Sequence, residues 1–347
     1  MRDIVLQNTK QILERLTTER GLKQRPSQNM MIAGITDMLI QRMESPDVEK
    51  GSNLLAVEAP TGTGKSFGYL IPTIAVAKAA QKKVIVSTAV VSLQEQLISK
   101  DLPAIAKASA VPFTFAIAKG RSRFVCPSRL RSKALEATEE GVSLTDDKNQ
   151  KEFTITGGPK EEEFKEYLKL QKLFEQKKWS GEQETLPAMA EDTRKVLWAK
   201  VTTDNSGCTG KSCKDYKACP YYEARKTWQN ADVIVANHDL VMSDLHIGSA
   251  SPLLAPPEES IFVFDEAHHL PQKARDTWSR NFRTDTFPKI FKEIPINLND
   301  TAMKWHDSGC KYADGLATKM DAWKTKSQVV GKQLDSLQKE FDKVLLG

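Results

Sequence analysis

Ala59-Pro60-Thr61-Gly62-Thr63-Gly64-Lys65-Ser66 is the stretch that decides the fold. Glycines let backbone N–H groups converge on phosphate oxygens, and a helix that starts at the end of such a loop adds the positive end of its dipole. Lys65 is then placed to reach outer phosphates, and the Ser66 hydroxyl to ligate magnesium. The strict loop pattern has Gly where Ala59 stands; both are small, so the turn survives. On the N-terminal side, Asn53-Leu-Leu-Ala-Val-Glu58 reads as a buried strand, and from Phe67 onward an apolar run of helical length follows.

Two hundred residues later Ile261-Phe-Val-Phe264 reads as a strand that ends in Asp265-Glu266-Ala267-His268. Carboxylates at the C-terminal ends of parallel strands lie where ligands collect in open sheets. Asp265 is expected to hold magnesium through water, and Glu266 to orient or deprotonate an attacking water. Between the two motifs the pattern alternates: strand Leu54–Glu58, helix Phe67–Ala80, strand Val84–Thr88, helix Leu93–Ile98, strand Phe113–Ala118, then Val233–Ala236 and Ile261–Phe264. Alternation of this kind predicts a parallel sheet with crossover helices. Residues 1–50 read as helices, with Met1 to Leu16 a charged surface helix rather than a signal peptide.

The chain has 347 residues and a net charge of +5, and no apolar run approaches the roughly 18 residues of a membrane span. A cytoplasmic setting follows, in which five cysteines are metal-binding or buried rather than disulfide-bonded. Cys208, Cys213 and Cys219 form C-x4-C-x5-C, with Cys126 far upstream and Cys310 outside the group. Thiolates so arranged bind zinc or an iron–sulfur cluster, and the spacing alone does not choose. The four lie in 119–228, which breaks the alternation and reads as an insertion containing an acidic stretch (136–163) and a helix over Glu163–Lys177. Residues 102–135 contain no Asp or Glu but seven basic residues: Lys107, Lys119, Arg121, Arg123, Arg129, Arg131 and Lys133. Such a run is either a solvated face or a contact for a phosphate backbone. In 275–347, Val330, Leu334, Leu337, Phe341 and Val344 fall at helical spacing.

Together these residues resemble the DinG branch of the XPD-like, iron–sulfur superfamily 2 DNA helicases. The likeness rests on Arg25-Pro26-Ser27-Gln28, on Glu58 to Ser66 including Ala59, on Ser87-Thr88 with Leu93-Gln94-Glu95-Gln96-Leu97, on Lys119 to Cys126, on the spacing of the three clustered cysteines, on Val235-Ala236-Asn237-His238, and on Asp265 to His269. The resemblance implies a RecA-like P-loop NTPase sheet with an inserted iron–sulfur domain and a C-terminal helical arch. It divides the chain into motor domain 1 (1–118 and 229–274), a cluster domain (119–228) and the start of the arch (275–347). It further implies ATP bound by Arg25, Gln28 (reading the base) and Ala59, Pro60, Thr61, Gly62, Thr63, Gly64, Lys65 and Ser66. Lys65, Asp265 and Glu266 would be catalytic, Ser66 and Asp265 would hold magnesium, and Cys126, Cys208, Cys213 and Cys219 a 4Fe-4S cluster. Lys119, Arg121, Arg123, Thr88, Gln94 and His238 would contact DNA, with His238 and Asn237 alternatively bracing the ATP site.

The implied activity is ATP-dependent 5′ to 3′ unwinding in DNA repair or replication, with single-stranded DNA and junctions as partners. A Ser-Ala-Thr motif and a Gln-x-x-Gly-Arg-x-x-Arg segment, which mark the second motor domain of such helicases, do not occur in the sequence. The expectation is therefore an N-terminal portion that hydrolyses ATP weakly by itself, unless a separate chain supplies the other half. The short segment before Gln28 is read as leaving no room for an exonuclease. Rival readings are an ATP-gated DNA-binding module without turnover, and a zinc-stabilised nucleic-acid-binding protein. Phe124, Tyr216, Tyr221 and Tyr222 either stack on bases or pack around the cysteines. Cluster ligation is expected to substitute for a hydrophobic core in the insertion.

Overall fold

The computed structural model describes residues 2–21, 23, 25–44, 54–60, 62–139, 159–189, 191–204, 207–248, 252–279, and then 329, 332, 333 and 336. Thr61, Cys310, the middle of the acidic stretch and the apolar stripe 330–344 lie outside them. The chain divides into two compact units, 1–278 and 279–347. In the second, the described positions 329, 332, 333 and 336 are helical, and Ser279 takes no regular structure.

The chain begins with α1 (Arg2–Arg20) and α2 (Pro26–Glu44), then α3 (Lys65–Ala80), β1 (Lys83–Thr88) and α4 (Val91–Gln96). A π-helical turn, Leu97–Asp101, links α4 to α5 (Leu102–Ala108), and β2 (Phe115–Ile117) follows. The inserted stretch supplies α6 (Pro127–Glu139), α7 (Pro159–Glu175), α8 (Glu191–Val201) and α9 (Pro220–Asn230). Sheet construction then resumes with β3 (Val233–Asn237), α10 (His238–Ile247), β4 (Ser260–Phe264) and α11 (Leu270–Trp278).

Strands are ordered β2-β3-β1-β4 and every pairing is parallel, with Val84 opposite both Val233 and Ile261. Side chains of successive strand residues point to opposite faces. Val84, Val86, Val233, Val235 and Ile261 accordingly join the core shared with α1, α2, α3 and α5. Ile85, Ile234 and Ala236 join the core on the other face, with Trp228 of α9 and Val241 of α10. Helix α1 is not a mere surface helix. Its Val5, Ile12 and Leu16, with Asn8 and Thr9, are buried at helical spacing.

The strand expected at Leu54–Glu58 is absent: residues 54–60 take no regular structure, and Leu54 is 75 % exposed. An apolar run favours a half-buried surface. It does not supply the neighbouring ladder, and β4 is the sheet's edge among the described residues.

The insertion has a core of its own, contrary to the expectation that ligation stands in for one. Tyr167 and Leu170 of α7, Leu197 and Trp198 of α8, Leu130 of α6, and Trp179 pack together. Trp179 meets Trp198 edge-on at 6.4 Å between ring centroids, a favoured aromatic geometry. The apolar patterning of α7 and α8 explains it: Phe164, Tyr167 and Leu170 fall three apart on one face of a helix.

Candidate functional site

The phosphate loop forms from local constraints. Gly62 and Gly64 take φ of +81° and +82°, in the left-handed region that favours glycine. At Gly64 a Cβ would also stand 2.3 Å from Gln28 Nε2, which donates to the Gly64 carbonyl at 2.9 Å. Gln28 is only 4 % exposed, so it braces the loop from α2; Arg25 is exposed. Thr63 Oγ1 donates to the Pro60 carbonyl at 2.8 Å. Helix α3 starts at Lys65, whose first-turn N–H groups face the loop.

Across the site, Lys65 Nζ meets Glu266 Oε1 at 2.8 Å. The two motifs, far apart in sequence, converge on one point. Glu266 raises the pKa of Lys65, and Lys65 holds the Glu266 carboxyl below the usual carboxylate range. Both side chains keep about a third of their surface in solvent (27 % and 33 %), so the pair is accessible to a competing anion. Glu266 itself has φ +55°, ψ +47°, a left-handed conformation costing about 1 kcal/mol or more for a residue with a Cβ.

Two further residues belong to this site and escaped the sequence reading. Tyr69 donates from its hydroxyl to Asp265 Oδ2 at 3.1 Å. It lies one helical turn from Lys65 on α3, a signal that periodicity could have supplied. Asp101, at the end of the π-helical turn, is buried and accepts from Gln96 Nε2 at 3.3 Å. Burial raises its pKa, opposed by hydrogen bonds from Gln96 and Ser66. No sequence signal marks it, since a π-turn is invisible to 3.6-residue spacing; such turns often mark functional sites.

The four cysteines border one cavity of about 380 Å³, its open mouth included. Arg121, Phe124, Asp215, Tyr216, Tyr221 and Tyr222 contribute to the same wall. Burial pushes the Cys219 thiol up, and the backbone N–H groups of Tyr222 and Tyr221 pull it down. Gly210 N–H points at Cys208 Sγ at 3.4 Å. Among the described residues no three His, Cys, Asp or Glu side chains converge on a point that a single ion would occupy.

The residues expected to touch DNA are otherwise engaged. Thr88 and His238 are fully buried and Gln94 is nearly so, out of reach of a nucleic-acid strand. Lys119 pairs with Glu182 and, at 3.6 Å, with Glu184; Arg123 pairs with Glu184. The Arg121 guanidinium lies 4.3 Å from the Tyr221 ring centroid, a cation–π contact. Arg131 pairs with Asp215 and Lys133 with Glu136. A run without acids in sequence is thus matched by acids in space. Tyr216, Tyr221 and Tyr222 pack on one another, with Tyr221 against Phe124.

A parallel sheet, a phosphate loop opening a helix, and carboxylates at the end of a neighbouring strand define a P-loop nucleotide-binding α/β domain. Residues 38–133 match the DEAD/DEAH box helicase family and residues 176–287 the DEAD_2 family. The chain is 39 % identical over 255 residues to the ATP-dependent DNA helicase DinG of Escherichia coli (strain K12), covering 73 % of this chain and 32 % of that protein. It is 38 % identical over the same length to DinG of Salmonella typhimurium, and 34 % over 252 residues to DinG of Photobacterium profundum. The chain is therefore a homologue of the DinG helicases. It spans about a third of the length of the curated relatives it matches. No described helix is long and apolar enough to cross a membrane.

Proposed function

We propose that the chain binds ATP with magnesium and works as a motor segment of a DinG-type DNA helicase, acting on single-stranded DNA with 5′ to 3′ polarity. The observation that carries the reading is the contact of Lys65 with Glu266 at 2.8 Å. That contact supports a reading in which Lys65 is the phosphate-binding cation and Glu266 the water-directing carboxylate of one site. The residues fit the magnesium: Ser66 and Asp265 are oxygen donors of the kind that ion takes, and it would neutralise charge on the phosphates. The chain's own groups do the rest. The backbone N–H groups at the start of α3 bind the phosphates. Lys65 passes from Glu266 to the phosphate oxygens, and the released Glu266 carboxylate orients the attacking water and accepts its proton. Tyr69 fixes Asp265 through its hydroxyl.

For the cysteine cavity we propose a 4Fe-4S cluster held by Cys126, Cys208, Cys213 and Cys219. Four thiols lining one common space are the donor set that such a cluster takes. Ligation would tie Cys126 to the segment 208–219. In this reading 119–228 is the cluster domain, 1–118 with 229–274 the motor domain, and the setting is cytoplasmic.

The test is ATP hydrolysis by the purified 347-residue chain, with and without single-stranded DNA, beside Glu266→Gln. ATP–magnesium binding that survives Glu266→Gln, with turnover that does not, is the expected result. No binding of ATP–magnesium by the wild-type chain would overturn the proposal. Binding with no turnover under any condition would favour an ATP-gated DNA-binding module instead.

A further inference from the structure

The His238 ring is fully buried, yet among the described residues Nε2 finds no hydrogen-bond partner of good geometry. It begins α10 directly after β3, where Asn237 Oδ1 caps the helix by accepting from Leu240 N–H at 3.0 Å. Nδ1 lies 2.6 Å from Ser87 Oγ at the end of β1. Ser87 also accepts, through its carbonyl, from the Asp265 N–H at 2.9 Å. The ring also faces Phe264, with centroids 6.3 Å apart; burial lowers its pKa, opposed by the backbone of Glu266 and Asp265, which favours its proton. One imidazole therefore touches the ends of β1 and β4 and the start of α10.

Chemistry assigns the ring's roles. If Ser87 Oγ–H donates to Nδ1, the proton of the neutral ring sits on Nε2 and needs an acceptor. The carbonyls of the Asp265–Glu266 turn are the acceptors at hand. That turn carries Glu266 in its left-handed conformation, a geometry that persists where surroundings hold it. We propose that His238 is a positioning residue for ATP hydrolysis: its Nε2–H closes on the Asp265–Glu266 backbone when Glu266 leaves Lys65 for the attacking water, coupling the end of β1 to the carboxylate that directs that water. This rests on the nucleotide reading above. It replaces the expected DNA contact, which a buried ring cannot make.

The test begins on the wild-type chain with ¹⁵N-labelled histidine, and the His238→Gln variant assigns the signal. The expected result is a neutral ring with its proton on Nε2, whose exchange slows and whose shift moves when saturating ATP–magnesium is added. A proton on Nδ1, or an Nε2–H indifferent to bound nucleotide, would overturn the inference. Single-turnover hydrolysis gives a second reading. His238→Gln keeps a donor near the Nε2 position, whereas His238→Asn keeps a polar atom only near Nδ1. Both should bind ATP–magnesium within about twofold of wild type, with Asn losing about tenfold or more in rate and Gln retaining most of it. Equal rates in the two variants, or the reverse order, would sink the proposal. Calorimetry on the wild-type chain keeps the two readings apart: absence of ATP–magnesium binding overturns the nucleotide site itself, and this inference with it.

Discussion

The nucleotide site and the cysteine cavity are supported in opposite ways. The groups of the first stand on regular structure or directly beside it: Lys65 opens α3, Asp265 and Glu266 form the turn that follows β4, His238 opens α10, and the sheet beneath is packed on both faces. Three of the four cysteines stand instead on a run of short 3₁₀ turns, Gly210–Ser212 and Tyr216–Ala218, neither of which buries a residue. Cys126 is anchored by its N–H, which donates to the Val201 carbonyl at 2.8 Å beside the aromatic core, and Cys219 by its place at the N-cap of α9, where its carbonyl accepts from Glu223 N–H at 3.1 Å. A site on a sheet is set before its ligand arrives. A site on turns is completed by what it holds, because ligand binding there is also folding free energy.

The sharpest break in that comparison is Cys213→Ser. Loss of iron, sulfide and visible absorbance is expected to be complete. Faster amide hydrogen exchange should be confined to 202–219, with α6, α7, α8 and the sheet keeping their protection. Loosening of the whole of 119–228 would show that the core of Tyr167, Trp179 and Trp198 cannot stand without the cluster. Zinc in place of iron, in anaerobic and iron-replete protein, would remove the cluster reading.

Next in size is Lys65→Ala, expected to weaken ATP–magnesium binding at least tenfold, about 1.4 kcal/mol, while the fold stays intact. The same pair sets a pH dependence in the nucleotide-free protein. Lys65 lowers the Glu266 pKa below its unfolded value. Its stabilising contribution is therefore present above the unfolded pKa and lost as pH falls through the depressed one. The effect is small, because the pair is a third exposed and screened. Carboxyl titration by NMR should show the Glu266 pKa rising in Lys65→Ala; an unmoved titration would mean the ion pair does not form in solution.

The basic run offers a milder intervention. Glu182→Gln with Glu184→Gln should release Lys119 and Arg123, strengthen single-stranded DNA binding, and steepen its salt dependence by about one to two units of slope. An unchanged slope would show that the freed cations face no phosphate path. Arg121→Ala should do less to DNA binding than to the rings it covers, since its guanidinium lies over Tyr221 and Tyr222.

How much of this could be read beforehand follows from the same contrast. The loop and α3 were legible because phosphate binding demands particular residues at fixed offsets within one supersecondary unit; β1, β3 and β4 because buried parallel strands read as short apolar runs, and the carboxylates because they directly follow one of them. The charge partners of Lys119, Arg123 and Arg131 were not, because Glu182, Glu184 and Asp215 come from 61 to 84 residues away. Leu54–Glu58 misled because an apolar run specifies surface to bury but not a ladder to join. Asp101 and the second role of Gln28, bracing Gly64, depend on a π-turn and on one close helix–loop approach, neither of which leaves a periodic trace.

The smallest expected effect asks whether the aromatic core is a unit of its own. Trp198 Nε1–H donates to the Ser122 carbonyl at 2.7 Å, joining α8 to the segment that leads into Cys126. Trp198→Phe removes that donor and part of the ring. The carbonyl keeps a longer contact, at 3.3 Å, from Thr202 Oγ1, whose shorter bond goes to Phe124 O at 2.9 Å. A neutral hydrogen bond is worth about 0.5–1.5 kcal/mol net, and partial compensation by Thr202 puts the cost near the lower end. Thermal unfolding followed by tryptophan emission should shift by a few degrees, while ATP–magnesium affinity stays unchanged. If the variant instead lowers nucleotide affinity, the core of the insertion and the sheet unfold together, and the separation between a preformed site and a ligand-completed one does not hold.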